Sequence, residues 1–208
     1  MDTSERSRRR CPEERPGQIL DAAFVEFGQR GLAGARLDDI ARRAGVGKGT
    51  IYLYFETKEA LFREMVRVTL GVAIEDAERM TSAHVSGSIE SLFREYATKW
   101  WGFIREERFA VVQRLVLAGE LRDFPELMEF FAQDIVTRGR RVVANIIARG
   151  IASGEFRATD PEIAARMYSA LWFAHANWAA NSHFHPHLGS DAQVLEEMLD
   201  FYLRAIKQ

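Results

Sequence analysis

The sequence predicts an all-α protein, and three observations support this fold class. Apolar residues recur at spacings of three and four along the whole chain of 208 residues, which is the period of an amphipathic helix. Runs of alternating β-branched residues bounded by Asn-Gly or Asp-Gly turns, which are typical of hairpins, do not occur. Glycine and proline stand where the periodic segments end and begin. We expect a small N-terminal helical domain followed by a larger set of helices.

The N-terminal helices are short. The first is predicted to begin after Pro16 and to close at Gly28 and Gly31, with an apolar stripe formed by Ile19, Ala22, Ala23 and Phe27. The second is predicted at about 37–44 and the third at about 48–55, with the turn "GVG" between them. Two short helices joined by a glycine-containing turn are the arrangement of a helix-turn-helix. A longer helix follows from Lys58 toward Met80.

The remaining helices are longer. Apolar residues from Ile89 to Ile104 fall on one face of a helix, and a helix of about 25 to 28 residues is predicted from Phe124-Pro125 to the glycine at 154. Asp160-Pro161 is a start signal, with the aspartate as cap and the proline in the first turn. The last helix carries an apolar stripe that includes Val194, Leu195, Met198, Leu199, Phe201, Tyr202 and Ile206.

Composition and charge limit the classes of protein. Hydrophobic residues make up 47% of the chain, enough for a sizeable core, and the formal net charge is −2. Residues 1–55 carry ten Lys and Arg against eight Asp and Glu, and the basic residues cluster in "RSRRR" and "ARRAGVGKG". This local excess favours a polyanionic partner for the N-terminal part. The single cysteine, Cys11, excludes an internal disulfide.

The location expected from the sequence is cytoplasmic, without a membrane partner. The longest apolar runs, such as "SALWFAHANWAA", are shorter than the roughly 18 to 20 residues that span a bilayer. The basic segment at the N-terminus is not followed by the apolar core of a signal peptide.

The helix that begins at Pro161 is apolar on nearly every side. A helix of this kind has to be covered on two faces. One face includes Ala164, Tyr168 and Trp172, and the other includes Ile163, Met167, Ala170, Ala174 and Trp178. We therefore predict a homodimer through the last two helices, in which one face packs in the subunit and the other packs against the same helices of a second copy.

The third helix carries the pattern expected of a DNA-reading helix. Placing its residues at 100° intervals directs Ile51, Phe55 and the stem of Lys48 into the core. Gly49, Thr50 and Leu53 lie opposite, where small residues let a helix approach base edges. The hydroxyls of Tyr52 and Tyr54 flank this arc and can reach phosphates, and Lys48 and Lys58 bracket the element with positive charge. The competing interpretation is a tight corner between two helices with two solvent-exposed tyrosines.

The segment "LDDIARRAGVGKGTIYLYFETKEALF" resembles the DNA-binding motif of the tetracycline repressor (TetR) family of bacterial transcription regulators. The similarity spans about residues 17–66, and "LVLAGELRDFPELMEFF" and "GIASGEFRATDPEIAA" resemble the family's ligand-binding domain more weakly. The resemblance implies a homodimer of subunits with about nine helices. Such a dimer binds a palindromic double-stranded operator as a repressor until a small-molecule effector in the C-terminal domain releases it.

The resemblance also implies roles for individual residues. Lys48, Thr50, Tyr52, Tyr54 and Lys58 take the positions that contact the DNA backbone, and Gly49 and Leu53 face the bases. The domains implied are a basic arm over 1–15, a DNA-binding domain over 16–60 and an effector-binding and dimerisation domain over 61–208.

Two capping positions depart from the family pattern. Arg36 stands before helix two, where the family usually has Ser or Thr. Gly47 stands before helix three, where the family often has Ser. Glycine is a tolerable cap, whereas arginine is a poor cap but a good phosphate ligand. We expect Arg36 to contact DNA at the expense of cap stability.

Aromatic residues are concentrated in the C-terminal two thirds of the chain. By resemblance, a pocket is expected between the helices that start near 88, 125 and 161, with Tyr96, Trp100, Phe131 and Trp172 as lining residues. Few charged residues are expected in its wall, which favours a hydrophobic or aromatic effector.

Other site classes find less support. His183, His185 and His187 lie in "NSHFHPHLGS" without a nearby Cys or carboxylate cluster, so a polar loop is favoured over a metal site. No nucleophile elbow, phosphate-cradling loop or pair of metal-spaced carboxylates occurs, so neither an enzyme nor a cofactor is expected. A small-molecule-binding enzyme and a helical interaction module that does not read DNA are the alternatives to a regulator.

Overall fold

The computed structural model describes residues 15–82, 87–179 and 189–208. The chain forms two compact units, the first ending at Met65 and the second beginning at Val66. Counting each uninterrupted helical run once and leaving out one isolated 3-10 turn, the described ranges hold nine helices and no strand, which confirms the predicted all-α fold class. No helix in these ranges is long and apolar enough to cross a membrane.

The first unit consists of four helices around a small apolar core. The helices are α1 (Arg15–Gly34), α2 (Leu37–Ala44), α3 (Lys48–Tyr54) and α4 (Lys58–Val66), of which the last residue, Val66, belongs to the second unit. Their fully buried side chains include Ile19, Phe27, Ile40, Ile51 and Leu61. The rings of Phe27 and Phe62 meet edge to face at 5.7 Å, an arrangement favoured between aromatic side chains.

The end of α1 differs from the prediction. The helix continues through Gly28, so the prediction that this glycine closes it is wrong. Gly31 interrupts the helical geometry with φ 71° and ψ 172°, a conformation that glycine adopts without strain. Leu32, which follows the kink, is completely buried, so the residues after Gly31 also contribute to the core.

The second unit is built from longer helical runs. These are a π-helical turn (Arg67–Gly71), α5 (Val72–Ser82), α6 (Ile89–Ile104), α7 (Glu107–Leu117), a 3-10 turn (Glu120–Asp123), α8 (Pro125–Phe130), a π-helical segment (Phe131–Thr137), α9 (Arg138–Ala152), α10 (Pro161–Ala179) and α11 (Asp191–Ile206). The predicted helix 89–104 is confirmed at both ends. The run 125–152 is likewise continuous, as predicted, although its middle is π-helical.

An aromatic cluster holds α6, α10 and α11 together. Phe93 stacks on Tyr202 at 5.5 Å and meets Tyr168 edge to face at 5.2 Å. Phe156, in the connection after α9, meets the same Phe93 ring at 6.5 Å. A Cβ at Gly150 would lie 2.1 Å from the Phe156 ring, so only glycine allows this close approach.

Helix starts in this unit are capped by side chains. Asp160 Oδ1 accepts hydrogen bonds from the backbone N–H groups of Glu162 and Ile163, which confirms the predicted cap of α10. Ser190 forms a capping box with Gln193 at the start of α11. At the start of α6, backbone N–H groups are hydrogen-bonded to a residue that is far away in the sequence. The Glu155 carboxylate accepts from Ile89 N–H at 3.0 Å and from Glu90 N–H at 3.1 Å. These hydrogen bonds hold the pKa of Glu155 below its usual value.

Candidate functional site

The turn between α2 and α3 is made by two glycines in different conformations. Gly45 is left-handed, with φ 66°, and ends α2, while Gly47 is extended and starts α3. The N–H of Val46 donates to Ala41 O at 3.0 Å, which closes the end of α2 in a hydrogen-bonded turn. This geometry turns the chain within three residues and places α3 directly after α2.

Within α3 only Ile51 is buried, and the other side chains are exposed or half-buried. Ile51 is fully buried, and Phe55 is buried just beyond the end of the helix. Tyr52 and Tyr54 are exposed, and Leu53 is 85% exposed. A Cβ at Gly49 would meet nothing within 4 Å, so this part of the helix surface is open. Apart from Lys48 at its first position, the surface of α3 is therefore uncharged, with an open glycine, a leucine and two tyrosines side by side.

The position of Lys48 corrects one prediction. Its side chain is 69% exposed and its Nζ lies 2.9 Å from Asp38 Oδ2, so the prediction that its stem enters the core is wrong. The reason is electrostatic, because Asp38 in the first turn of α2 attracts the ammonium group across the surface. The hydrogen bond to Asp38 raises the pKa of Lys48.

The other basic residues of the predicted site also have defined positions. Lys58 Nζ donates to Ala33 O at 2.9 Å, so the ammonium contacts the backbone that leads into α2. Arg36 is exposed at the start of α2 and forms no side-chain cap, as expected from its poor capping ability. The structure thus brings the predicted residues of α2, α3 and α4 together in the first unit.

A buried carboxylate clamps α2 onto α1, and the sequence analysis missed it. Glu26 is 1% exposed. Its Oε2 accepts from Arg43 Nε at 3.2 Å and Nη2 at 3.1 Å, and its other oxygen forms an ion pair with Arg30 at 2.8 Å. The available signal was a glutamate next to Phe27 in an otherwise apolar stripe, since a buried glutamate needs a cationic partner.

A cavity of about 130 Å³ lies within the second unit. All four residues predicted to line a pocket lie in its wall: Tyr96, Trp100, Phe131 and Trp172. The wall also includes residues of α5 and α7, which the prediction did not place there. Most lining residues are aliphatic or aromatic, so the cavity suits an apolar molecule.

Three polar side chains around this cavity already have protein partners. Gln113 Nε2 donates to Phe173 O at 3.3 Å, and the Ser169 hydroxyl donates to the backbone within its own helix. Arg140 Nε donates to Glu162 Oε2 at 3.0 Å. These side chains were not predicted from the sequence, because their position next to the cavity depends on how α7, α9 and α10 pack.

A second cavity of about 440 Å³ lies between α5 and α6. It shares Tyr96 and Trp100 with the first cavity, and the rings of these two residues are stacked at 6.3 Å. The stacked pair therefore belongs to the walls of both cavities.

The helix α10 has two apolar faces, as the sequence indicated. Tyr168 and Trp172 are each 1% exposed on the inner face. Met167 is 62% exposed on the outer face, together with Ile163, Leu171 and Trp178, and Phe201 of α11 is also exposed. The predicted histidine loop, with His183, His185 and His187, lies outside the described residues.

A helix-turn-helix unit and a larger helical unit with an apolar cavity define a class of protein, the helix-turn-helix transcriptional regulator. The chain belongs to the TetR family of these regulators. The family model described as bacterial regulatory proteins, tetR family, matches residues 19–65. A second model, described as the AefR-like transcriptional repressor C-terminal domain, matches residues 91–206.

Individual proteins agree with this assignment. The chain is 28% identical over 198 residues to the uncharacterized HTH-type transcriptional regulator YhgD of Bacillus subtilis (strain 168), covering 91% of this chain and 95% of that one. It is 26% identical to the fatty acid metabolism regulator protein of the same organism, with 86% and 91% covered. The fold is that of the FadR transcriptional regulator from Bacillus subtilis, solved in complex with stearoyl-CoA, with a TM-score of 0.74 at 24% identity and 90% and 97% covered.

Proposed function

We propose that the protein binds a palindromic operator as a homodimer, represses transcription there, and is released by a small hydrophobic or aromatic effector. The observation that carries this proposal is the surface of α3, which buries Ile51 and leaves Gly49, Tyr52, Leu53 and Tyr54 accessible. In this proposal residues 16–60 form the DNA-binding domain, 61–208 the effector and dimerisation domain, and 1–15 a basic arm.

The contacts to DNA divide into two kinds. Gly49 and Leu53 face the base edges, where the open surface at Gly49 permits close approach. Thr50, Tyr52 and Tyr54 contact phosphates through their hydroxyls, and Arg36 contacts them through its guanidinium. Two further phosphate contacts come from lysines that already have a protein partner, Lys48 and Lys58.

The dimer forms through α10 and α11. An exposed apolar stripe runs along α10 from Ile163 through Met167 and Leu171 to Trp178, and Phe201 adds to it from α11. Exposed apolar surface of this extent marks an interaction site. A two-fold axis through the stripe brings the same helices of two copies together, which matches two half-sites of a palindrome.

The effector occupies the cavity lined by Tyr96, Trp100, Phe131 and Trp172. Its lining is mostly apolar, and its one charged residue among those described, Arg140, is paired with Glu162. The stearoyl-CoA of the related FadR structure also has a long apolar part, which agrees with an apolar effector site in this fold.

Selection of bound duplexes from a random DNA pool tests the proposal. We expect the wild-type protein to enrich a palindromic motif, and the Tyr52→Ala and Thr50→Ala proteins to lose the enrichment. Leu117→Ala is the matched control, because Leu117 is an exposed apolar residue of α7 in the other unit. Failure of the folded wild-type protein to enrich any motif would overturn the proposed operator binding.

A further inference from the structure

Two buried hydrogen-bond donors in the cavity wall have no protein partner. Tyr168 and Trp172 are one turn apart on α10, both are 1% exposed, and both line the cavity. Within the described residues, neither the Tyr168 hydroxyl nor the Trp172 indole Nε1 makes a hydrogen bond. The indole N–H can only donate, and the hydroxyl can donate or accept.

Two neighbouring polar side chains, in contrast, have protein partners. Tyr202 lies beside Tyr168, with ring centroids 5.4 Å apart, and is almost as buried, yet its hydroxyl donates to Ala164 O at 2.7 Å. The cavity-lining Gln113 donates to Phe173 O. Because buried polar groups in proteins are nearly always paired, two unpaired donors in one cavity wall indicate a hydrogen-bonding ligand.

The shape of the wall restricts the ligand further. Tyr168 and Trp172 are stacked on each other, with centroids 4.2 Å apart and planes at 24°. Tyr96 and Trp100 form a second stacked pair, with planes at 12°. Flat aromatic surfaces favour a flat partner.

The charge of the wall restricts it as well. Burial raises the pKa of Tyr168, so its phenol remains protonated and able to donate at neutral pH. The charge of Arg140 is already compensated by Glu162 at 3.0 Å. Among the residues that the structure describes, the cavity wall therefore offers no unpaired charge to an ionic ligand.

We infer that the effector is a flat, uncharged molecule with an acceptor oxygen, such as a carbonyl, that accepts hydrogen bonds from the Tyr168 hydroxyl and the Trp172 indole N–H. This inference rests on the proposed effector site and defines its ligand class. An effector that is a pure hydrocarbon would leave both donors unpaired, and a carbonyl compound relieves that cost.

Two probes of the same shape test the inference. Acetophenone and α-methylstyrene are both flat and differ only in a carbonyl oxygen in place of a methylene group. Both are small, in keeping with a cavity of about 130 Å³. Their dissociation constants are measured by isothermal titration calorimetry with the full-length protein in the absence of DNA.

We expect acetophenone to bind at least about tenfold more tightly than α-methylstyrene. Tyr168→Phe and Trp172→Phe should each reduce this ratio at least about threefold, because each removes one donor. Tyr202→Phe is the matched control and should leave the ratio unchanged, since its hydroxyl already has a protein partner and Tyr202 does not line the cavity.

Three results would overturn the inference: no binding of either probe, tighter binding of α-methylstyrene, or a preference for acetophenone that both variants retain. A purely apolar cavity predicts the second result, because the carbonyl would lose its hydration without compensation. The outcome is independent of operator binding. A protein that selects an operator but shows no preference between the probes loses only this inference, and one that prefers acetophenone but selects no operator loses only the regulatory proposal.

Discussion

The helices α3 and α10 both expose apolar side chains, but the two surfaces are built differently. On α3, Leu53 stands between two tyrosines and close to Gly49, so apolar, hydroxyl and bare backbone surfaces are mixed within seven residues. On α10, Ile163, Met167, Leu171 and Trp178 form a stripe along nineteen residues without an exposed hydroxyl among them.

The difference indicates two kinds of partner. A mixed surface on a short helix offers contacts to base edges and phosphates, whereas a long uniform stripe offers only the burial of apolar area. An exposed apolar side chain therefore has to be interpreted together with its neighbours on the same helix face. The following predictions test this distinction, from the largest expected effect to the smallest.

The largest effect is expected on the stripe of α10. Met167→Glu places a charge in the proposed dimer surface twice, once from each copy, where it has no partner. We expect the dimer to weaken on the order of a thousandfold, or about 4 kcal/mol, measured by sedimentation equilibrium. Leu117→Glu, at an exposed apolar position of α7, should leave the dimer intact. An unchanged dimer in Met167→Glu would place the interface on another surface.

The charge clamp that positions α2 should be the next most sensitive feature. Glu26→Gln removes the negative charge between Arg30 and Arg43, and we expect a loss of about 3 kcal/mol in the free energy of unfolding of the first unit. Chemical denaturation followed by circular dichroism measures this loss. Glu56→Gln, at an exposed position, should stay within about 0.5 kcal/mol of the wild type. Equal stabilities of the two variants would show that the clamp contributes nothing.

A substitution at Gly49 is expected to change the stability of α3 and its affinity for DNA in opposite directions. Gly49→Ala adds a methyl group into open space, and we expect the free protein to gain up to about 1 kcal/mol in stability because alanine is the better helix former. The same methyl group should weaken operator binding about tenfold by separating the helix from the bases. Fluorescence anisotropy with the selected operator measures the binding.

Gly17→Ala in α1 is the matched control for this change, since its Cβ would also meet nothing within 4 Å. It should increase stability without affecting DNA affinity. If Gly49→Ala bound the operator as tightly as Gly17→Ala, the helix backbone would not approach the bases at this point.

The smallest expected effect is the pH-dependent contribution of Glu155 to the stability of the second unit. The pKa of Glu155 is lowered in the folded protein, first by the hydrogen bond from Ile89 N–H. Its stabilising effect is therefore fully present above the unfolded pKa of about 4.3 and is lost as the pH falls below that value. Because the group is partly exposed, we expect Glu155→Ala to cost only about 0.5–1 kcal/mol at pH 7.

The same variant should lie closer in stability to the wild type at about pH 3 than at pH 7, because the Glu155 carboxylate becomes increasingly protonated as the pH falls below its unfolded pKa. Thermal unfolding at the two pH values measures the difference. Glu129→Ala, an exposed position on α8, is the control. A cost that is equal at both pH values would contradict a role for the carboxylate charge.

Local signals in the sequence were sufficient for most of the fold. The turn "GVG" and the pair Asp160-Pro161 give correct boundaries for α2 and α10, because a cap or a glycine acts on its immediate neighbours. The continuation of α1 through Gly28 was not predicted, because a glycine inside a helix and a glycine that closes one give the same local signal in a sequence.

The part of the site that is set by helical periodicity was predicted from the sequence, and the part that is set by tertiary contacts was not. The exposed face of α3 follows from helical periodicity and is seen in the structure, whereas the ion pair of Lys48 depends on a carboxylate ten positions earlier in the chain. The side chains of Tyr96, Trp100, Phe131 and Trp172 meet at one cavity, as predicted, but the unpaired donor of Tyr168 could only be recognised from the packed structure.

The pairing of the two lysines near α3 bears on how the protein responds to ionic strength. A cation that moves from water to a DNA phosphate releases condensed counterions, and each such contact steepens the fall of affinity with salt. Lys48 already neutralises Asp38, whereas Lys58 binds the neutral Ala33 carbonyl and keeps its full charge. Tyr52 and Tyr54 carry no charge to exchange. The logarithm of the operator affinity should consequently fall less steeply with the logarithm of the salt concentration than the number of basic residues around α3 would indicate.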